Sequence, residues 1–335
     1  MVWNTTQLDN ETLEMFRNTV VRNTLSIVYC IVILISLPGN GLSLWLLLFR
    51  THSKTPTIIY MINLTITDLA ICLFLPFHIN YHLNGYNWVF GDELCRVVTI
   101  MFYSNMYCSI LTMTAISVDR WIGVLRPIWY KKVMKKKYAA MVCLGMWATI
   151  LMVMYPLEST DLTYKVQELN ITTCFDVLKK SMLPSLGHWA VFLFTLFVLL
   201  FLIPFIVTVC CYTGIIFRLM KNNKGTEFHK KRRAVLLTIT VLFVFTTCFA
   251  PNNVILFAHM VQRLFFDKSL YTAYKLTLSL SCLNSCLDPF IYYFASKEFR
   301  RKVRKVLGYS NNSSDVPKVF YRKESILSAR TLMST

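Results

Sequence analysis

Apolar residues in this chain fall in long, nearly uninterrupted blocks. Neither the strict alternation of a half-buried strand nor the one-sided spacing of a surface helix describes them. Seven blocks run over Thr24–Phe49, Thr57–His82, Leu94–Leu125, Tyr138–Leu157, Leu186–Leu219, Ala234–Val261 and Tyr271–Phe294. A bilayer core about 30 Å thick needs roughly 20 apolar residues of helix, and every block meets that. The fourth is the shortest, and the third and fifth are long enough to extend past the lipid. The pattern predicts an all-α membrane protein: a seven-transmembrane helix bundle spanning 24–294, with an extracellular N-terminus over 1–23. After the seventh block, Lys297–Leu307 places Phe299, Val303, Val306 and Leu307 at helical spacing among basic residues. This predicts a short amphipathic helix on the inner membrane face, within 295–308. No cysteine follows it, so a palmitoyl anchor is unavailable there. The tail over 309–335 is polar and rich in serine and threonine, and is expected to be disordered and open to kinases.

Composition agrees with a membrane chain. Of 335 residues, 55% are hydrophobic and only 16% charged, whereas soluble domains carry about a quarter charged residues. The formal net charge of +18 raises the question of nucleic acid, but its distribution answers it. The loops and tail on one side hold 25 basic residues and the other side nine. This is the positive-inside bias. It orients the N-terminus outside at the plasma membrane and gives the charges a role in topology and in meeting anionic membrane lipids. No basic module interleaved with aromatics accompanies them, so no nucleic-acid partner is expected. The start of the chain lacks a charged-then-apolar leader, and the first block is expected to act as its own uncleaved signal. Glycosylation signals at Asn4, Asn10 and Asn170 fall on the predicted outside. Those at Asn63, Asn311 and Asn312 do not, and are expected to stay unmodified.

Most of the eleven cysteines sit within spans, where a thiol serves as a small apolar residue. Cys95, at the outer start of the third block, and Cys174, in the second outer loop, face an oxidising compartment. A Cys95–Cys174 disulfide would pin that loop over the bundle. No cysteine cluster has metal-ligand spacing.

Ionisable residues at membrane depth are costly and usually functional. Here they are Asp68 in the second block, Asp119-Arg120 at the inner end of the third, and Asp288 in the seventh. Asn40, Ser109, Asn284 and Ser285 could face them. For Asn40 alone, helix-to-helix glue is the better reading. Two buried carboxylates with serine and asparagine oxygens, from Asp68, Ser109, Asn284 and Asp288, suit a small hard cation, with no other cofactor expected. Prolines mark most spans: Pro38, Pro76, Pro156, Pro204, Pro251 and Pro289. Those in Cys248-Phe249-Ala250-Pro251 and Asp288-Pro289-Phe290-Ile291-Tyr292 set aromatics beside potential kinks, as a two-state switch requires.

These features together resemble class A, rhodopsin-like G protein-coupled receptors over nearly the whole chain. Gly39-Asn40, Asn63-Leu64 with Asp68, Asp119-Arg120-Trp121, Trp147, Pro204 with Tyr212, and the two proline motifs are similar to that family's one signature per helix. Tryptophan replaces the commoner tyrosine at 121. Phenylalanine replaces the usual tryptophan at 249, and aspartate the usual asparagine at 288. These last two departures and the run Ser281–Pro289 are similar to the purinoceptor-like branch, which also holds lysophospholipid receptors. Trp88–Gly91, Cys174–Lys179 and Cys248–Asn253 look most like one subtype within it.

The resemblance implies a mechanism. Asp119 pairs with Arg120 and holds the inactive state. Agonist in the outer half of the bundle shifts Phe249, hinged at Pro251, and the sixth helix swings outward. Arg120 and Tyr212 then help line a cavity for a heterotrimeric G protein, with Asp288, Pro289 and Tyr292 completing the switch. Relatives in the lipid-binding part of the branch often use the twelve/thirteen class of G protein, leading to Rho.

The resemblance also limits the extracellular ligand. Phe102 stands where amine receptors carry aspartate, and Cys282 where opsins carry the retinal lysine. Nucleotide receptors of the branch hold phosphates with several cations, at positions that are Thr99, Asn253, Leu256 and Leu278 here. The remaining candidates are His78, His82, Tyr103, Lys179, His188, Asn252, Asn253, His259, Arg263 and Lys275, around Phe102, Met106 and Leu256. Such a set suits an anionic amphipathic lipid or lipid conjugate. Two readings stay open for the outer histidines and lysines, ligand contact and plain interfacial anchoring, and a nucleotide ligand remains the alternative function. A channel or transporter is the remote one, and it would show an internal repeat or ionisable residues across the whole membrane. An enzyme is not expected, because no G-x-S-x-G or H-E-x-x-H motif is present.

Overall fold

The structure is a computed structural model, and it describes residues 10–51, 54–176, 186–221, 228–265, 270–295 and 297–306. Its helices are α1 (Asn10–Arg17), α2 (Thr19–Phe49), α3 (Pro56–Leu83), α4 (Asp92–Leu125), α5 (Pro127–Val133), α6 (Lys136–Glu158), α7 (Leu186–Thr195), α8 (Ile203–Lys221), α9 (Phe228–Phe265), α10 (Tyr271–Ala295) and α11 (Lys297–Val306). A π-helical stretch, Leu196–Leu202, joins α7 to α8, so the two form one rod that ends its wide turns just before Pro204. The strands β1 (Thr163–Val166) and β2 (Ile171–Cys174) form an antiparallel hairpin between α6 and α7.

α2, α3, α4, α6, the α7–α8 rod and α9 are each long and apolar enough to cross a bilayer. α10 completes the bundle with 25 residues. Its apolarity is diluted by the polar side chains from Ser279 to Asp288, which face inward and are buried. The molecule is inside-out by the standard of soluble proteins. Leu34, Leu73, Leu144, Met152 and Phe217 are 68% to 75% exposed, while Asn40, Asp68, Asn252, Asn253 and Asp288 are fully buried. Only a hydrocarbon solvent makes that arrangement favourable. α4 runs through the centre and packs on α3, α6, α8 and α9.

Small residues set the closest approaches. A Cβ on Gly39 of α2 would stand 3.1 Å from Pro289 Cγ of α10. One residue on, Asn40 Nδ2 donates to Ser36 Oγ (2.9 Å) and to the Ser285 carbonyl (2.8 Å). Asn40 is therefore the α2–α10 glue that its residue type suggested.

The polar N-terminal stretch contributes a helix that the block pattern did not announce. α1 buries Thr12, Met15 and Phe16 and sets Phe16 edge-on against Tyr86 at 5.2 Å. Asn18 then caps α2, its side chain accepting from the Val20 and Val21 amides. α11 lies after α10 as expected, with Phe299 buried and Lys302 Nζ donating to Thr51 Oγ1 at 2.9 Å.

Candidate ligand and signalling sites

The outer site begins with the hairpin. Its second strand ends at Cys174, which is bonded to Cys95 at the top of α4, 79 positions earlier. Asp92, one turn before Cys95, accepts at Oδ1 from the Leu162 and Thr163 amides and the Thr163 hydroxyl. Asn87 Oδ1 accepts from the Thr172 amide. The loop is thus held to the helix ends by a covalent bond and two short side chains.

Phe175 follows with φ 60°, the left-handed region that non-glycine residues rarely adopt. The turn stacks Phe175 edge-on against Tyr103 at 5.5 Å and carries Asp176 into the bundle. Asp176 is buried. It accepts from Tyr81 Oη at 2.6 Å and forms an ion pair with Lys275 of α10.

Lys275 of this pair borders a narrow pocket with a cavity volume of about 20 Å³. Its walls are Tyr29, His78, Tyr81, His82, Trp88, Thr99, Phe102, Tyr103, Cys174, Phe175, Lys275 and Leu278. The pocket therefore lies among α2, α3, α4, α10 and the hairpin.

Five of the residues assigned to the ligand line it: His78, His82, Phe102, Tyr103 and Lys275. His82 stacks on Tyr29, and His78 meets Phe102 edge-on. Of the others, those whose side chains are described sit apart from it. Asn252 Nδ2 donates to Met106 Sδ of α4 at 3.2 Å, and Asn253 Nδ2 donates to the Phe249 carbonyl of its own helix at 2.9 Å. Leu256 is buried on α9. His259 stacks on Tyr274 and accepts from the Leu270 amide. His188 is exposed at the outer end of α7. Lys179 and Asn4 lie outside the described residues, as do the side chains of Asn10, Arg263 and Tyr292. Asn170 is exposed at the hairpin turn, with φ 49°. Tyr29, Tyr81 and Asp176 were not among the sequence candidates. For Asp176, its place two residues after a loop cysteine was an available signal.

Tyr103 and Tyr274 join hydroxyl to hydroxyl across α4 and α10, near the outer pocket. On α9 and the α7–α8 rod runs a file of rings. Phe257 stacks on Phe197 at 4.5 Å, and Phe201, Phe205, Phe245 and Phe249 follow in contact. Phe249 is fully buried.

The polar core lies further in. Asp68 Oδ1 accepts from Ser285 Oγ (2.8 Å) and Asn105 Nδ2 (3.3 Å). Asn284 Nδ2 donates to Asp288 Oδ2 at 2.9 Å, and the two carboxyls lie within electrostatic reach of each other. Among the described residues, four oxygens of this core are buried without a partner: Asp68 Oδ2, Ser109 Oγ, Asn284 Oδ1 and Asp288 Oδ1. Two carboxyls buried together need a proton or a cation between them, and these four atoms are the hard oxygens such a cation prefers. The residue set fits sodium. Among the described residues no group of three His, Cys, Asp or Glu side chains could hold a metal ion.

At the inner end Asp119 is held differently from the expected pairing with Arg120. Its carboxylate accepts from Thr57 Oγ1 (2.6 Å) and from Tyr130 Oη of α5 (3.0 Å). Adjacent residues on a helix project about 100° apart, so Asp119 faces α3 and α5. Arg120 lies within electrostatic reach of Tyr212 instead. Burial and the adjoining Asp119 carboxylate push the Tyr130 phenol up to about 12, which keeps it a donor.

Seven spanning helices, a disulfide-pinned outer loop over a pocket, and a buried polar core make this chain a member of the rhodopsin family of seven-transmembrane receptors, whose family model matches residues 39–292. It is a G protein-coupled receptor, and a multi-pass plasma-membrane protein, of the branch that holds purinoceptor-like and proteinase-activated receptors. It is 54% identical over 332 residues to purinoceptor 8 of Gallus gallus, covering 99% of this chain and 92% of that one. It is 53% identical to the S-geranylgeranyl-glutathione receptor of Homo sapiens, covering 98% and 91%. Proteinase-activated receptor 2 of Mus musculus is 42% identical over 84% of this chain and 71% of its own length.

Proposed function

We propose that this receptor binds an anionic amphipathic lipid conjugate from outside the cell and activates a G protein of the twelve/thirteen class, leading to Rho. The observation that carries the reading is the wall of the outer pocket. Polar groups of His78, His82 and Lys275 stand there beside Tyr29, Phe102 and Leu278. A small number of polar groups in an apolar pocket is the usual form of a small-molecule site. A prenylated peptide such as S-geranylgeranyl-glutathione, for which a relative is named, has both parts. A nucleoside triphosphate needs several cations, and the lysine in this wall is already paired with Asp176.

In this reading the N-terminus is extracellular, as the basic inner loops favour, with glycans on Asn4, Asn10 and Asn170. α11 lies on the inner leaflet, and the serine-rich tail takes up kinases and arrestin. Sodium held by Asp68, Ser109, Asn284 and Asp288 supplies positive charge that favours the inactive state. Agonist moves Phe249 through the ring file, and Arg120 and Tyr212 receive the G protein. The agonist acts only through its differential affinity for the two states.

The test is a dissociation screen of all four G-alpha classes on the full-length receptor in cells. S-geranylgeranyl-glutathione is expected to release the twelve/thirteen class, with the response lost in Lys275→Ala and Arg263→Ala. A response to nucleoside triphosphates and none to the conjugate would overturn the reading.

A further inference from the structure

Asp176 is buried against the outer pocket and pairs with Lys275 of its wall, and their pairing constrains the charge that a ligand can carry. Asp176 reaches this position through three linked features: the Cys95–Cys174 bond, the left-handed Phe175 backbone, and Tyr81. Tyr81 Oη accepts from the Cys174 amide at 3.4 Å and donates to Asp176 Oδ2. The Asp176 side chain is fully buried, and that of Lys275 is 12% exposed. Lys275 Nζ also lies 5.4 Å from the Tyr271 ring centroid. Two further pocket atoms, His78 Nε2 and His82 Nδ1, are buried with no hydrogen-bond partner among the described residues.

We propose that this pair recognises a zwitterionic head group, an ammonium beside a carboxylate as in an α-amino acid. The proposal rests on the lipid-conjugate reading above and specifies its head. A simple anion that captured Lys275 would strand Asp176 as a buried, unpaired carboxylate, which is strongly unfavourable. A simple cation would strand Lys275 in the same way. A zwitterion inserted between them satisfies both, exchanging one ion pair for two of the same sense. The charges of Asp176 and Lys275 cancel, so a head whose own ammonium and carboxylate cancel is the complementary one. The unpartnered nitrogens of His78 and His82 can take a remaining carboxylate oxygen or a peptide group. Tyr29, Phe102 and Leu278 offer the wall for the apolar part. The Asp176–Lys275 ion pair is then an internal stand-in for the head group.

The experiment uses the full-length receptor at matched surface levels and the prenylated tripeptide named above, with its α-amine free or acetylated. Acetylation is expected to weaken binding and activation at least tenfold on the unaltered receptor. Asp176→Asn is expected to bring the two compounds to equal potency, and Asp176→Glu to keep the preference. Equal potency on the unaltered receptor, or a preference that survives Asp176→Asn, would overturn the zwitterion site and leave the lipid-conjugate reading standing. If neither compound binds, both fall.

Discussion

The indole of Trp121 on α4 lies against the bare backbone of Gly214 on α8: a Cβ at 214 would stand 2.8 Å from Nε1 and 3.2 Å from Cδ1. The tryptophan that replaces the commoner tyrosine after Asp119-Arg120 therefore has a partner made for its size. Overpacking of this kind costs about 1–3 kcal/mol, against a gain of roughly 0.5–1 kcal/mol from replacing a helical glycine by alanine. Gly214→Ala is expected to lower the thermal midpoint of purified receptor, and Trp121→Ala/Gly214→Ala to recover it. A single variant as stable as the parent would mean that α8 shifts freely at its inner end.

The grip on Asp119 predicts a change in resting activity. A hydrogen bond to a charged group contributes about 1.5–3 kcal/mol, and Thr57 and Tyr130 supply one each. If that grip belongs to the inactive arrangement, Tyr130→Phe and Thr57→Val raise agonist-free nucleotide exchange on G-alpha, and the double variant raises it further. Unchanged basal exchange in the double variant would remove Asp119 from the restraint.

Sodium dependence should map to the polar core. On the unaltered receptor, replacing sodium by N-methylglucamine is expected to raise agonist affinity. Asp68→Asn and Asp288→Asn are expected to abolish that difference, because each neutralises one of the two carboxyls that the ion would bridge. Persistence of the sodium effect in both variants would locate the ion elsewhere.

The disulfide closes a loop of 79 positions, for which the chain-entropy estimate is about 4.5 kcal/mol. Cys95→Ser, Cys174→Ser and the double variant are expected to lose surface expression and ligand response to the same degree, since each breaks the same bond. A single variant markedly milder than the double would point to a substitute bond with another thiol.

Two asparagines in glycosylation signals should behave oppositely. Asn170→Gln, at the exposed hairpin turn, is expected to increase electrophoretic mobility by one glycan and leave folding intact. Asn63→Gln should leave the glycan pattern alone and lower stability by about 1–3 kcal/mol. Asn63 accepts from Trp147 Nε1 at 3.0 Å and donates to Thr112 at 2.9 Å, joining three helices. A glycan lost with Asn63→Gln would contradict the topology.

What the sequence determined by itself was the bundle. An apolar run of that length is stable in only one solvent, so seven blocks specify seven spans with ends that the structure moves by a few residues. The disulfide was legible because only two cysteines fall clearly on the outer side. The polar-core residues were legible because charge in hydrocarbon is rare. Partnerships inside the bundle were decided by tertiary structure. Asp119 and Arg120 are chain neighbours, and that same adjacency turns them apart on the helix; Thr57, 62 positions away, holds the carboxylate. Asp176 reaches Lys275 only through a strained turn after a covalent bond, which no spacing rule encodes. The pocket likewise lies among α2, α3, α4 and α10, away from the asparagines of α9, whose side-chain nitrogens donate to Met106 Sδ and to the Phe249 carbonyl. Residue type shows that a polar group needs a partner, and packing selects which one it takes.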